Sequence, residues 1–387
     1  MKKYSRYLVL ASVVLMISST LVIPVAANST ERHWDGVDSS GAFVRDSHSP
    51  IIVEKELLTF DLQQLPEPYV REVDSFLSYS GKVSAEYTFY NPSDYSVTAS
   101  LLFPFGYVPT YAPDDCYGKD VGKYQITVNG MAEESTLRHT LSDRYSQFDL
   151  DTDLTLLHDD YVADEFYAPD LPVTKYVFMP SGVDTETYEA ADAGFDMVRD
   201  DLLRKVYYKN QTGLHTQQDG TLRVHSWVEN DEPITIYVIG QDYEAFPLWK
   251  FYQNGGVKDD EEIDGVMTIE THEEMTFFDL AMSEWDADSG ISEIDWYNAV
   301  VSMLTNESDA TGSNLHLSNY GSLDLRRSLM RWYEYDITLE PGERIVNTVT
   351  APIYPSINEH YEPKLYSYTY LLSPAQTWQG SVLWISL

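Results

Sequence analysis

Across residues 85–106, AEYTFYNPSDYSVTASLLFPFG, apolar and polar positions alternate on either side of a short polar break. Tyr87 and Phe89, then Val97, Ala99 and Leu101, take one side, with mostly polar or small residues between them. A period of two sends every second side chain to the same face of a strand. Residues 82–91 and 96–104 therefore read as two strands joined by Asn91, Pro92, Ser93 and Asp94. Pro92 presets φ there, and the Asn and Asp side chains bond nearby backbone. The expectation is a hairpin with one buried face, ended by Pro104, which has no N–H for a ladder.

The same device recurs. In 124–141 it turns at Asn129-Gly130, a pair able to take the positive φ of a tight turn. In 221–240 the break is Asn230 to Pro233, and in 331–355 it is Pro341-Gly342-Glu343. Residues 50–62 read as one or two strands and 365–372 as a further one. Units 85–106 and 223–240 look loosely alike, which points to two sandwich-like units.

Helical spacing is rarer. Ile294, Tyr297, Val301 and Leu304 recur at it, and Ser292 with Asp295 starts a capping box, so the best helix is about 292–306. Residues 149–159 carry acids suited to a first helical turn. Residues 188–208 read as helix to Arg204 and then strand. The expected fold is mainly β: two or more antiparallel β-sandwich (Ig-like) units with a few short helices. The expected division is a signal peptide at 1–27, an N-terminal β-sandwich unit at 28–185, and a second β-rich unit with a helical insertion at 186–387.

The first 27 residues stand apart from this pattern. Lys2, Lys3 and Arg6 precede an apolar run from Leu8 to Val25, and Val25 and Ala27 occupy the positions a signal peptidase reads. Export is expected, to the extracellular space or cell surface. Charge then limits the partners. The net charge of −37 becomes −40 without residues 1–27, which hold three basic and no acidic side chains. Nucleic acid and anionic membranes both need a positive patch and are not expected. Contact with a membrane is expected only through the signal segment or a missing C-terminal anchor. With 43% hydrophobic residues the chain still has enough apolar surface for a core. Cys116 is the single cysteine, so no intramolecular disulfide forms, and Asp114 and Asp115 beside it would raise its pKa. An exported chain without disulfides fits a bacterial source.

Little catalytic chemistry is written in the motifs. The chain has no Gly-x-Ser-x-Gly, His-Glu-x-x-His, Gly-x-x-x-x-Gly-Lys or Gly-x-Gly-x-x-Gly. Its nine histidines are scattered, with no two at metal-ligand spacing. With 62 acidic residues, no pair can be assigned to glycoside hydrolysis by spacing. Calcium is the candidate ion. WDADSGISEIDW sets Asp286, Asp288 and Glu293 around Gly290, with hard oxygen ligands on a tight loop. Gly290 falls at the fifth position rather than the sixth, and Tyr297 stands at the twelfth. The competing reading is an acidic loop that caps the following helix. Residues 149–160 space four aspartates similarly but hold Leu154 where the glycine belongs, and they read as a helix start.

Thirty tyrosines and eight tryptophans cluster in RWYEYD, EHYEPKLYSYTY and LWKFY. Trp332, Tyr333 and Tyr335 are the candidate aromatic surface, because exposed rings stack on sugars. The alternative is that tyrosine is simply a favoured strand residue, with these rings in the core.

Segments such as HWDGVDSSGAFVRDSHSPIIVEKELLTFDL, SGKVSAEYTFYNPSDYSVTASLLFPFG, DEFYAPDLPVTKYVF and ITLEPGERIVNTVTAPIYP span nearly the whole exported chain. Together they resemble a group of exported Gram-positive bacterial proteins that has no assigned activity. The resemblance implies a surface location and β-sandwich architecture, and supplies no catalytic residues. Members often continue into a membrane or wall anchor. This chain stops at GSVLWISL, which points to a truncated reading frame. The expected function is non-enzymatic: binding of cell-wall or host glycans or of surface proteins, or a structural role in the envelope. The alternative is an exported hydrolase or carbohydrate-binding module acting on polysaccharide.

Overall fold

The computed structural model describes residues 39–40, 43–44, 49–62, 69–71, 76–78, 81–106, 125–141, 155–188, 190–198, 203–209, 213–217, 219–228, 232–253, 261–306, 325, 329–353, 356–358, 360–363, 365–368, 370–371 and 385–386. Residues 1–27, expected as a signal peptide, and Cys116 lie outside them. The chain forms two compact units, 1–34 with 354–368, and 35–353 with 369–387. In the first, Ser356–Asn358 pairs antiparallel with Leu365–Ser367.

The second unit contains the long strands. In chain order they are β1 (Ile52–Asp61), β2 (Gly81–Tyr90), β3 (Val97–Gly106), β4 (Gln125–Val128), β5 (Thr136–Leu141), β6 (Pro172–Ser181), β7 (Asp192–Met197), β8 (Arg204–Lys209), β9 (Gly213–Thr216), β10 (Leu222–Trp227), β11 (Ile234–Gly240), β12 (Trp249–Tyr252), β13 (Glu262–Ile263) and β14 (Val266–Thr276). Helices α1 (Phe277–Met282) and α2 (Glu293–Asn306) follow, and then β15 (Leu329–Leu339) and β16 (Arg344–Ile353). The expected mainly antiparallel β chain with few helices is what forms.

Four sheets hold these strands. The first runs β1–β2–β16–β4, extended by Ile385–Ser386 beside β1 and Met131–Ala132 beside β4. The second runs β5–β15–β3, with Phe43–Val44 beyond β3. The third is β8–β11–β6–β14 and the fourth β9–β10–β7–β12–β13. Strand pairing does not respect a division at 185/186. β6 ends before that point, yet it pairs with β11 and β14 beyond it. β15 and β16 complete the sheets begun by β1 to β5. The strands from 172 to 276 are thus inserted between strands that pair with one another. Pairing follows face and edge complementarity, which a linear cut cannot show.

The expected hairpins are corrected in the same way. β2 and β3 are both present, but β2 pairs with β1 and β16 while β3 pairs with β15. β15 and β16 also part into different sheets, as do β10 and β11. At these three breaks the strands on either side belong to different sheets. Asn91 is buried at one of them. Its Nδ2 donates to the carbonyl oxygens of Tyr95 (2.8 Å) and Leu339 (3.0 Å), and its Oδ1 accepts from Ser93 N (3.0 Å). One side chain therefore joins the corner after β2 to the corner after β15. Only at Asn129-Gly130, with φ of 51° and 78°, does the break close a hairpin, pairing Val128 with Met131.

Two further expectations fail. Residues 192–197 are strand, not helix: Ala193, Phe195 and Met197 share one apolar face, Phe195 and Met197 in one cluster and Ala193 in the next, while Asp192, Gly194 and Asp196 take the other face. That is a period of two, and Gly194 is a poor helix former. Of 149–159, the described residues 155–159 form a turn and coil rather than helix. α2 forms as expected, with Ser292 Oγ accepting from Asp295 N at 3.0 Å. α1 was not expected. It starts in a capping box of Thr276 and Asp279.

The third sheet feeds two cores. Tyr176, Phe178, Val206, Ile236 and Val238 cluster with Phe195, Leu222 and Val224 of the fourth sheet. Its other face, with Val173, Tyr207 and Ile239, clusters with Phe277, Trp296, Val300 and Leu304 of the helices. α2 in turn packs on β5.

Candidate functional site

The fourth sheet turns its second face away from the core. Because residues directly opposite share a face, pairing places Trp227, Asp192, Tyr252 and Glu262 in one row across β10, β7, β12 and β13. His225, Gly194 and Lys250 form the next row, and Arg223 stands opposite Asp196. This face thus gathers charged and aromatic side chains in adjoining rows.

Its centre is sealed. His225 Nδ1 lies 2.7 Å from Asp192 Oδ2, and the two side chains are only 8% and 1% exposed. Arg223 holds Asp196 through two bonds, Nε to Oδ1 at 2.7 Å and Nη2 to Oδ2 at 2.8 Å. Its guanidinium lies 5.1 Å from the centre of the Tyr252 ring. A fork-to-fork pair backed by an aromatic ring fixes both partners. Gly194 leaves the room this needs: a Cβ there would stand 2.8 Å from Val224 O and 3.1 Å from His225 Cβ. The rim is open. Lys250 Nζ and Glu262 Oε2 pair at 3.4 Å, both accessible, and Trp227 is 51% exposed. A buried Asp–His pair cannot reach a substrate, so it acts as a brace. What the face offers to a ligand is a flat indole beside charged groups.

The sequence-derived candidates lie elsewhere. Trp332, Tyr333 and Tyr335 come together on β15 but are 0%, 7% and 3% exposed. Trp332 Nε1 donates to Thr140 Oγ1 at 2.8 Å, and burial raises the Tyr333 hydroxyl to about 12. These rings are core packing. With no exposed face they cannot stack on a sugar, which corrects the expectation of an aromatic surface there.

Asp286 and Asp288 are exposed, with Asp286 capping the single turn Ala287–Ser289 by accepting from Asp288 N at 3.0 Å. Gly290, at φ 76°, ends that turn. Glu293 accepts from the Tyr161 hydroxyl, which it raises to about 12. The carboxylates of Asp286 and Glu293 are thus engaged with different partners. Among the described residues no three His, Cys, Asp or Glu side chains gather as a metal-ligating group.

A second polar cluster sits under α2. Arg138 donates from Nε to Asp295 at 3.1 Å, from Nη1 to Glu334 at 2.6 Å and Asp159 at 3.1 Å, and from Nη2 to His158 O at 2.7 Å. Asp295 also accepts from His139 N at 2.9 Å. Burial, with Arg331 and Arg138 close by, pushes the His139 imidazole down to about 3. The cluster pins α2 to β5 and β15 and has no open approach to its centre. Beside α2, Tyr207, Phe277, Val300 and Leu304 help line an apolar cavity of ≈ 10 Å³, about enough for one water and nothing larger.

Comparison with protein-family models, curated proteins and solved structures finds no match. The functional reading therefore comes from these side chains alone. Trp227 was missed in the sequence because it lies in the same alternating run as buried His225. Nothing in HSW distinguishes a covered ring from an open one.

Proposed function

We propose that this chain is an exported, non-enzymatic surface protein that binds a glycan at the open rim of its five-stranded sheet, around Trp227. Its β-rich units are read as Ig-like β-sandwiches, a reading supported by the core that the third and fourth sheets share. The carrying observation is Trp227, half exposed and in line with Asp192, Tyr252 and Glu262. An indole presents an apolar face for a sugar ring, while Lys250, Glu262 and Asp196 at the rim can bond hydroxyls. The acidic surface favours an uncharged or basic polymer over an anionic one.

The test is depletion of the purified chain from solution by insoluble polysaccharides, peptidoglycan included, at moderate salt. Depletion by one polymer, lost in Trp227→Ala and kept in a variant of exposed Tyr95, is the expected result. Equal depletion of the Trp227 variant would move the site elsewhere. Release of soluble sugar during incubation would replace the binding reading with a hydrolase.

A further inference from the structure

We propose that the free edge of β14 takes up an extended, basic segment of a partner protein as an added strand. β14 is the last strand of its sheet. It pairs with β6 from Pro172 to Ser181, and no strand among the described residues pairs with its other edge. From Thr268 to Glu274 every side chain is exposed, whichever face it points to. Strands usually keep one face in a core; here the side chains stay exposed, and His272 stacks on Tyr176 at 4.8 Å and lies 3.4 Å from Asp242. Val266 and Ile269 expose apolar side chains on it. Such an edge presents a row of main-chain donors and acceptors to any strand that fits.

Charge selects the occupant. β14 carries Glu270, Glu273 and Glu274 and no Lys or Arg, within a chain of net charge −37. A second copy would bring the same carboxylates to the same edge, and like charges across a strand pair are destabilising. An extended segment with Lys or Arg at neighbouring positions, one on each face, meets Glu273 and Glu274 with cations. The register skips Glu270, since Val177 pairs with Thr271 and Phe178 with Ile269. That bulge breaks the edge and leaves Thr271–Thr276 as its longer unbroken run, the seat of the added strand.

The probe is a labelled peptide in which Lys-Lys and Val-Val pairs follow one another, about as long as the 11 residues of β14, titrated into the full chain. Three results are expected. Binding weakens about tenfold in the triple variant Glu270→Lys, Glu273→Lys, Glu274→Lys, whose positions are exposed and distant from Trp227's face. A peptide with prolines at alternate valines binds far more weakly, because it lacks the N–H groups a ladder needs. Amide exchange slows in Thr271–Thr276. Equal binding of the proline peptide would reduce the effect to charge alone and overturn the proposal. So would unchanged binding to the triple variant, protection elsewhere than β14, or equal binding of a Glu-Val peptide. None of these outcomes touches the glycan reading, which is scored on Trp227.

Discussion

The Tyr335 hydroxyl, on β15, donates to Asn347 Oδ1, on β16, at 2.9 Å, and so bonds one sheet to the next. Both residues are buried, and Asn347 Nδ2 continues to Thr127 O at 3.1 Å. Burial raises the Tyr335 hydroxyl well above the usual tyrosine range, so it stays a donor. Tyr335→Phe removes that donor and leaves a buried amide oxygen unpaired. The expected loss is about 1–3 kcal/mol, read from the urea midpoint at unchanged slope.

Asn91 tests the corner. Asn91→Asp keeps the shape but replaces the donor facing the carbonyl oxygens of Tyr95 and Leu339 with an acceptor. It is expected to cost at least as much as Asn91→Ala, roughly 2–4 kcal/mol, because a buried unpaired charge is worse than a lost bond. Thermal melts of the two variants give the order. A milder Asp variant would mean that the corner is open to water.

At Gly194 two effects oppose. Alanine there lowers the entropy of the unfolded chain, worth about 0.4–1 kcal/mol. It also drives a methyl to 2.8 Å from Val224 O. Such overpacking costs about 1–3 kcal/mol, so Gly194→Ala is expected to destabilise on balance. Denaturant titration decides the sign.

His139 sets an acid limit. Held down at about 3 in the folded chain, it stays neutral while the unfolded chain takes a proton near 6.5. Its contribution is fully present above about pH 6.5 and is lost as pH falls towards 3. By pH 5 the loss is about 2 kcal/mol. Asp295 runs the other way, since burial raises its carboxyl despite Arg138. The informative quantity is therefore the difference between the native chain and His139→Gln, whose stability should fall less between pH 7 and 5. Parallel curves would mean that His139 protonates freely in the fold.

How much of this the sequence disclosed depends on the kind of information. Alternation at Tyr87, Phe89, Val97 and Ala99 named the strands, because which face a side chain takes is a local property. It could not name their partners: β2 and β3 look like a hairpin in sequence and part into different sheets. The helix at 292–306 was legible from spacing and a cap, and Thr276-Phe277-Phe278-Asp279 carried a similar cap signal for α1 that passed unread. The site was least legible. Trp332 and Trp227 are chemically the same, and only the Thr140 contact and the layer beneath α2 distinguish the buried ring from the open one.

The corner at Asn91 has a consequence in time. Its partner Leu339 lies 248 residues along the chain. A chain made or exported from its N-terminus therefore presents β1 to β5 long before β15 and β16 exist to complete their sheets. Among the described residues the strands of 172–276 pair with one another and can assemble first. Closing so long a loop is slow but adds only modest further entropy cost once that inserted block has folded and shortened the path. Until then β2 and β3 stand as unfinished edges, open to pairing with whatever strand meets them first.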